Sequence, residues 1–467
     1  MNSDKTLVRP AIEISEELIR RFDSLGPRYT SYPTADRFTT EFDANSAIQY
    51  LEQRSAATEK PPLSLYIHIP FCASLCYYCA CNKVITKDHG RSAKYLEYLE
   101  KELKLVLMHL PKREVLSQLH LGGGTPTFLS HPEMRQLMDM LCAHFDFSDD
   151  AEISIEIDPR TVTTETLQLL AELGFNRTSL GVQDFDADVQ KAVHRIQPYE
   201  MVERTIVDSR AAGFDSINFD LIYGLPKQNL ESFSKTLDQV IALSPERIAL
   251  YNYAHLPTRF KPQRRILESD LPSAEERLQI FMMSLRRLLA EGYVYIGLDH
   301  FAKPQDSLAK ASVDGSLHRN FQGYTTRADC DLIALGLSAI GKIGSSYVQN
   351  LRTLDEYYQV LDQGKLPVEK GIHLSQDDLL RRELIMDLMC SSAIDFQKVG
   401  QQYNIDFNDY FSGELSQIKN YADEGLINLN DQGVSITPKG RLFVRAVAMA
   451  FDQYLSRQST AKYSRLI

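Results

Sequence analysis

Tryptophan is absent from the 467 residues. No apolar run reaches the ~18–20 residues that a membrane helix needs, because charges such as Lys342 interrupt each one. The N-terminus lacks the apolar core of a signal peptide, with Asp4, Lys5 and Arg9 standing where one would lie. A basic excess is missing as well: 51 Lys and Arg against 62 Asp and Glu give a net charge of −11. A chain built to grip phosphate backbones carries the opposite sign. These absences argue against membrane and nucleic-acid partners and make a cytoplasmic location the default. Nothing in the pattern demands an obligate interface, so a monomer is expected.

What is present is ordinary for a folded protein: 43% hydrophobic and 24% charged residues, with 23 Tyr and 21 Phe supplying the aromatic packing. Cysteine is scarce outside one place. Four of the seven are Cys72, Cys76, Cys79 and Cys81, while Cys142, Cys330 and Cys390 are scattered and read as buried small hydrophobes. An odd total with one dense cluster is a poor disulfide framework and a good metal site.

From residue 63 onward, alternation marks strands near Leu63–Ile69, Val115–Leu121, Glu152–Asp158, Arg177–Gln183, Ser216–Ile222 and Arg247–Tyr253. Helical patterns separate them: a stripe of Leu96, Leu99, Leu103, Val106 and Leu110, then Glu133–His144, Thr164–Leu173, Glu200–Ala212, Leu230–Leu243 and Ala274–Glu291. Six strand–helix units predict a parallel α/β sheet. Its strands are polar on one face (Tyr66 and His68; Gln118 and His120; Ser154, Glu156 and Asp158; Arg177, Ser179 and Gln183; Asn218 and Asp220) and apolar on the other. Parallel strands covered on both sides read as continuous apolar runs. A barrel-like sheet with a polar interior is therefore expected, and that interior is the site.

The chain divides by pattern into an N-terminal extension (1–60), a catalytic barrel (61–355) and a C-terminal helical domain (356–467). The extension holds a short helix at Glu16–Phe22 and the turn-rich segment Gly26–Thr34, expected as a surface loop. The last part predicts helices Asp378–Met389, Phe396–Tyr403 and Glu414–Glu424, a hairpin over 425–437 and a closing helix from Gly440. This is a winged-helix-like order. Its residues 375–467 hold 10 basic and 12 acidic side chains, so a lid or packing role is expected rather than DNA reading.

Cys72, Cys76 and Cys79 follow the first strand with the spacing C-x3-C-x2-C. Structural zinc wants four ligands, usually in two separated pairs, and no second pair is present. Three thiolates on a four-iron cluster leave one iron open for a small molecule. This is the signature of radical S-adenosylmethionine (SAM) enzymes, in which the open iron chelates SAM and one electron releases a hydrogen-abstracting 5′-deoxyadenosyl radical. Gly122-Gly123-Gly124-Thr125 at the end of the second strand is either a tight turn or a place where a ligand approaches the backbone.

Ordered blocks then extend a resemblance through almost the whole chain: Gly26–Thr34 (GPRYTSYPT), Tyr66–Asn82 (YIHIPFCASLCYYCACN), Gly122–Thr127, Glu156–Arg160 (EIDPR), Gly181–Phe185, Asp220–Gln228, Asp299–Lys303 and His318–Thr326 (HRNFQGYTT). The chain resembles the oxygen-independent coproporphyrinogen III oxidases. The resemblance implies an α/β fold, a partial (β/α)6 TIM-like barrel with a C-terminal helical domain. It also implies decarboxylation of two propionates of coproporphyrinogen III to vinyl groups, giving protoporphyrinogen IX in haem biosynthesis. An electron donor for the cluster and a final electron acceptor are implied partners.

By the same resemblance, Cys72, Cys76 and Cys79 hold a [4Fe–4S] cluster, and two SAM molecules bind. Tyr66, Gly123, Glu156 and Ile340 contact the first; Tyr78, Gly124, Thr125, Gln183, Arg195, Asp220 and Ala254 contact the second. His68, Cys81 and Gln322 join Tyr66 as expected catalytic residues, and Arg28, Arg195 and Arg319 are candidate anchors for the substrate's carboxylates. Ala73-Ser74 stand where the family has His-Lys, and Ala80 where it has Gly. The related haem chaperones lack the GPRYTSYPT leader, the fourth cysteine and the HRNFQGYTT block, all present here. An enzyme is therefore expected over a haem-delivery protein.

Overall fold

The computed structural model describes residues 16–22, 25–327 and 330–455. Within them, residues 37–281 with 327–375 form one compact unit; residues up to 36, with 282–326 and from 376 onward, form another. The division at residues 60 and 355 follows sequence pattern and is linear, whereas these units are interleaved along the chain.

In the first unit, strands β1 (Leu63–Ile69), β2 (Glu114–Gly123), β3 (Phe145–Ile157), β4 (Arg177–Gln183), β5 (Ser216–Tyr223) and β6 (Arg247–Asn252) lie side by side in chain order, each parallel to the next. On the other side of β1 the sheet continues through β7 (Asp331–Leu335), parallel to β1. Strands β8 (Ile340–Ile343), β9 (Ser346–Asn350) and β10 (Val368–His373) follow, each antiparallel to its predecessor. This is the expected partial (β/α)6 arrangement with an extension that the sequence pattern did not announce. β10 falls where helix was expected. Most of its residues are only half-buried, so it carries no alternation to read.

The apolar strand face is where burial drives folding. Leu65, Ile67, Leu119, Leu121, Ile155, Leu180, Val182, Phe219 and Leu221 are all fully buried, each contributing about 1.5–3 kcal/mol. The helix Gly90–Leu107 buries Tyr95, Leu96, Leu99, Leu103 and Val106 on one stripe and ends before Leu110, which is buried beyond it. Helix His131–His144 opens with a capping box between Ser130 and Glu133, worth about 1 kcal/mol. Its buried stripe is Met134, Leu137, Met138 and Leu141. Cys142, one residue and about 100° further round, is exposed rather than buried as expected.

Glu102, on the stripe of helix Gly90–Leu107, is buried and accepts hydrogen bonds from the Gly336 N–H (2.8 Å), Asn350 Nδ2 (2.6 Å) and the Tyr357 hydroxyl (2.5 Å). Burial outweighs these donors and pushes its carboxyl from 4.5 up to about 7. The folded state therefore binds a proton that the unfolded chain releases between those two values. Stability contributed by the protonated carboxyl is present below about pH 4.5 and is lost as pH rises to about 7. The loss is of order 1–3 kcal/mol. Urea unfolding at pH 5 and pH 8 is expected to show a smaller pH difference in Glu102→Gln than in the wild type.

The second unit contains helices Gln376–Cys390, Phe396–Tyr403, Phe407–Tyr410 and Ser412–Asp423. A small antiparallel sheet runs in the order Ala393–Asp395, Gly433–Ile436, Ile427–Asn430. This is the winged-helix-like arrangement expected. The closing helix starts as a 3₁₀ segment, Lys439–Phe443, and becomes α-helical at Val444–Met449.

The surface loop expected at Gly26–Thr34 is a core element instead. Tyr29 and Tyr32 are 0% exposed and pack with Leu384, Phe411 and Val447. The Tyr29 hydroxyl donates to Asp452 Oδ2 (3.0 Å), the Tyr32 hydroxyl accepts from the Gln453 N–H (3.2 Å), and Arg445 Nε donates to the Pro27 carbonyl (3.0 Å). Turn-forming residues concealed two large aromatics with apolar partners and satisfied hydroxyls.

Candidate active site

β1 brings Tyr66 and His68 to its polar face, and the chain then enters the cysteine loop. The loop is braced at several points. Phe71–Cys72 pairs in parallel with Val84–Ile85. The Tyr77 N–H donates to the Val193 carbonyl (2.9 Å), His194 Nδ1 to the Leu75 carbonyl (2.8 Å), and Gln263 Nε2 to the Tyr78 carbonyl (3.0 Å). Ala73 and Ala80, two of the departures from the family pattern, are exposed, and Ser74 is half-buried.

The sulfurs themselves receive polar hydrogens. The Thr125 hydroxyl donates to Cys72 Sγ (3.4 Å); Arg160 Nη2 and Arg195 Nη1 each donate to Cys76 Sγ (3.6 Å). The hydrogen bond with Cys81, helped by the Lys83 charge and opposed by burial, brings Cys79 down to about 6. The same contact raises Cys81. Burial pushes Cys72 up to about 11.

The glycine run is required by packing. A Cβ on Gly123, whose φ is +115°, would lie 2.7 Å from the His68 ring, and one on Gly124 would lie 2.7 Å from the Pro70 carbonyl. The Gly124 N–H donates to the Ile69 carbonyl (2.8 Å). The end of β2 is thereby pressed against the end of β1, where the cysteine loop begins.

Polar side chains on the strand faces meet across the sheet as expected. The Gly123 N–H donates to Glu156 Oε2 (3.0 Å), and His120 Nε2 lies 3.5 Å from Glu156 Oε1. Burial alone would raise Glu156; His120 and the Gly123 N–H outweigh it and hold the carboxyl below its ordinary value. The Tyr66 ring stacks on His120, with centroids 5.8 Å apart. His68 Nε2 faces the Asn82 carbonyl (3.0 Å) and must donate, which leaves Nδ1 to accept from the Tyr66 hydroxyl (3.1 Å). Burial lowers the His68 pKa and favours this neutral form. Its visible role is to orient Tyr66.

Further round the sheet, Ser179 Oγ donates to Asp220 Oδ2 (2.7 Å) and Asn218 Nδ2 to Oδ1 (3.0 Å), while burial pushes Asp220 up to about 6. Gln183 stands at a register shift between β4 and β5 with φ 67°, a left-handed conformation uncommon outside glycine. The Ala254 carbonyl accepts from Gln263 Nε2 (3.2 Å). Ile340 opens β8, opposite Gln349. Gln322 belongs to the second unit, where its N–H donates to Asn320 Oδ1 (2.9 Å).

Sequence reasoning passed over three members of this constellation as site residues: His120, Asp158 and Arg160. His120 and Asp158 were visible as polar positions on otherwise alternating strands, but nothing in the pattern showed that His120 faces Glu156 or that Asp158 holds the two arginines that reach the Cys76 sulfur. The donor set fits the expected cofactors. Three thiols share one loop, N–H and O–H donors aim at two of the sulfurs, and an ionised carboxylate stands ready for an ammonium group.

The radical SAM superfamily pattern matches residues 66–240, and the HemN C-terminal domain matches residues 374–443. The oxygen-independent coproporphyrinogen III oxidase of Pseudomonas aeruginosa is 50% identical over 97% of this chain and 98% of its own. That of Escherichia coli is 45% identical over 96% and 98%. The solved structure described as coproporphyrinogen III oxidase (HemN) from Escherichia coli, a radical SAM enzyme, superposes with a TM-score of 0.90 at 44% identity, covering 95% of this chain and 99% of that one. Joined to the cysteine loop and its Glu156–Gly123 clasp, these likenesses establish that the chain belongs to the oxygen-independent coproporphyrinogen III oxidase family of radical SAM enzymes.

Proposed function

We propose that this chain decarboxylates two propionate side chains of coproporphyrinogen III to vinyl groups without dioxygen, yielding protoporphyrinogen IX. The observation that carries the reading is the cysteine loop of β1 held against the Gly123–Glu156 clasp. Cys72, Cys76 and Cys79 would hold a [4Fe–4S] cluster which, when bound together with SAM, supplies the hydrogen-abstracting radical. The ionised Glu156 and the Gly123 backbone receive the amino end of the first SAM, with Tyr66 and Ile340 beside it. Tyr78, Gly124, Thr125, Gln183, Arg195, Asp220 and Ala254 receive a second SAM. Neutral His68 fixes the Tyr66 hydroxyl, and Cys81 and Gln322 complete the set required for turnover. An external donor would supply the electron that starts the reaction, and a separate acceptor would take up one electron per vinyl group formed.

The substrate is a tetracarboxylate and needs cationic anchors. Arg28 pairs with Asp299 (2.5 Å), and Arg319 lies 4.8 Å above the Tyr324 ring. Arg319 Nε and Nη1 are buried without a hydrogen-bond partner, an arrangement that favours an incoming carboxylate. Burial, with the charges of Arg28 and Arg319, pulls Arg445 down to about 10. Arg319→Gln is expected to raise the KM for coproporphyrinogen III about ten- to a hundredfold, the value of one charge-assisted hydrogen bond. SAM cleavage measured without substrate should be unchanged.

The reading is tested by anaerobic reconstitution with iron and sulfide, followed by SAM, reductant, a one-electron acceptor and coproporphyrinogen III. Formation of 5′-deoxyadenosine, carbon dioxide and protoporphyrinogen IX supports it. Stoichiometric, stable haem binding with no decarboxylation would instead identify a haem chaperone. Purified protein carrying zinc and no sulfide would remove the radical chemistry altogether.

A further inference from the structure

Cys76 differs from the other cysteines of the loop in its surroundings. Arg160 Nη2 and Arg195 Nη1 both donate to its sulfur at 3.6 Å. Both guanidiniums also hold Asp158 Oδ2, at 2.7 Å and 3.0 Å. A second Arg160 nitrogen, Nε, reaches Asp158 Oδ1 at 3.0 Å. Asp158 and Arg195 are each 9% exposed or less, and Arg160 is partly buried. Two positive groups therefore meet a single sulfur in a largely dry setting, with one carboxylate behind them. The carboxylate fixes the arginines in place and cancels only part of their charge.

Hydrogen bonds and positive charge at a cluster's sulfurs stabilise its reduced, more negative state and raise its reduction potential. We propose that Arg160, acting with Arg195 through Cys76, raises the reduction potential of the cluster, and that Asp158 both positions the two arginines and limits the rise. The inference rests on the reading that Cys72, Cys76 and Cys79 hold a four-iron cluster. It gives Arg160, which contacts no expected SAM or substrate position, a role in the reaction: deciding how strong a donor is needed to load the electron. Arg160 alone is the place to test it, because Arg195 also stands among the expected SAM contacts.

The experiment is an electron-paramagnetic-resonance redox titration of the anaerobically reconstituted full chain without SAM, comparing wild type, Arg160→Gln, Arg160→Lys and Asp158→Asn. Arg160→Gln is expected to make reduction about tenfold less favourable at a fixed poise, a shift of about 59 mV to more negative potential for a one-electron centre. Arg160→Lys keeps the charge and should shift less in the same direction. Asp158→Asn removes the opposing charge and should shift the potential the other way. Iron and sulfide contents, measured on each sample, separate tuning from loss of the centre. An unchanged or more positive potential in Arg160→Gln at full cluster content would overturn the proposal. So would Asp158→Asn shifting in the same direction as Arg160→Gln. A wild-type protein that never acquires a cluster would remove the underlying reading instead, a result distinct from either.

Discussion

Replacing Cys76 with serine is expected to abolish formation of 5′-deoxyadenosine and carbon dioxide, and with it the brown absorbance of the reconstituted protein. Serine keeps the size of the side chain but substitutes a hard hydroxyl that stays protonated at neutral pH for a soft thiolate. Two protein thiolates are then left to hold a cluster that already leaves one iron to SAM. The lesion is local. Neighbouring contacts of the loop, such as the Gln263 bond to the Tyr78 carbonyl and the pairing of Phe71–Cys72 with Val84–Ile85, do not use the Cys76 sulfur. The far-ultraviolet circular dichroism spectrum should therefore be retained. Cys142→Ser, on the exposed side of helix His131–His144, should keep full cluster content and activity. Iron, sulfide and product analysis of the two variants side by side checks the prediction. An active Cys76→Ser protein would refute the ligand assignment.

The largest expected stability effect lies away from the cofactor. Arg54, near the end of helix Ala44–Ala56, is buried and joins the beginnings of three strands. It donates to the Pro61 carbonyl just before β1 (3.0 Å), to Glu114 at the start of β2 (3.1 Å) and to Asp331 at the start of β7 (2.5 Å). Lys60 also pairs with Glu114 (2.7 Å), whereas Asp331 depends on Arg54 and on the Gly344 N–H (2.8 Å). Arg54→Met keeps much of the side-chain volume and leaves a buried carboxylate without its cation, at a cost of about 3–5 kcal/mol. Urea unfolding should show the loss, and Arg54→Met/Asp331→Asn should recover part of it by removing the stranded charge. Equal stability of wild type and Arg54→Met would show that the network contributes nothing.

Much of this architecture was legible because its physics is periodic. Leu63–Ile69 and Arg177–Gln183 occupy the strands expected of them, and Leu230–Leu243 the expected helix, because each combines clean alternation or a 3.6-residue stripe with clear ends. β3 begins at Phe145, seven residues ahead of its expected start. Phe145 and Phe147 alternate with Asp146 and Ser148, but Asp149 and Asp150 interrupt the alternation before Ala151. β8 and β9 were not read because glycines and polar residues break up their short runs. Tyr29 and Tyr32 were misread because local turn chemistry says nothing of a distant partner such as Asp452.

The candidate site was legible where one motif contains its own chemistry, as with Cys72, Cys76 and Cys79. It was not legible where function depends on strands meeting. His120 reaches Glu156 and Tyr66 only once β1, β2 and β3 are aligned. Arg160 reaches Cys76 only after the β3 end and the cysteine loop have been brought together. Long-range convergence of single polar residues leaves no periodic trace in a chain.

Conversion of a propionate to a vinyl group removes a hydrogen from the carbon attached to the pyrrole ring, so a radical generated at the cysteine loop is expected to attack that carbon. This central claim is tested most directly with coproporphyrinogen III carrying deuterium at that carbon, incubated with the reconstituted protein, SAM and a reductant. Deuterium is expected to appear in the 5′-deoxyadenosine recovered. Vinyl groups formed while the nucleoside product remains free of deuterium would contradict the account.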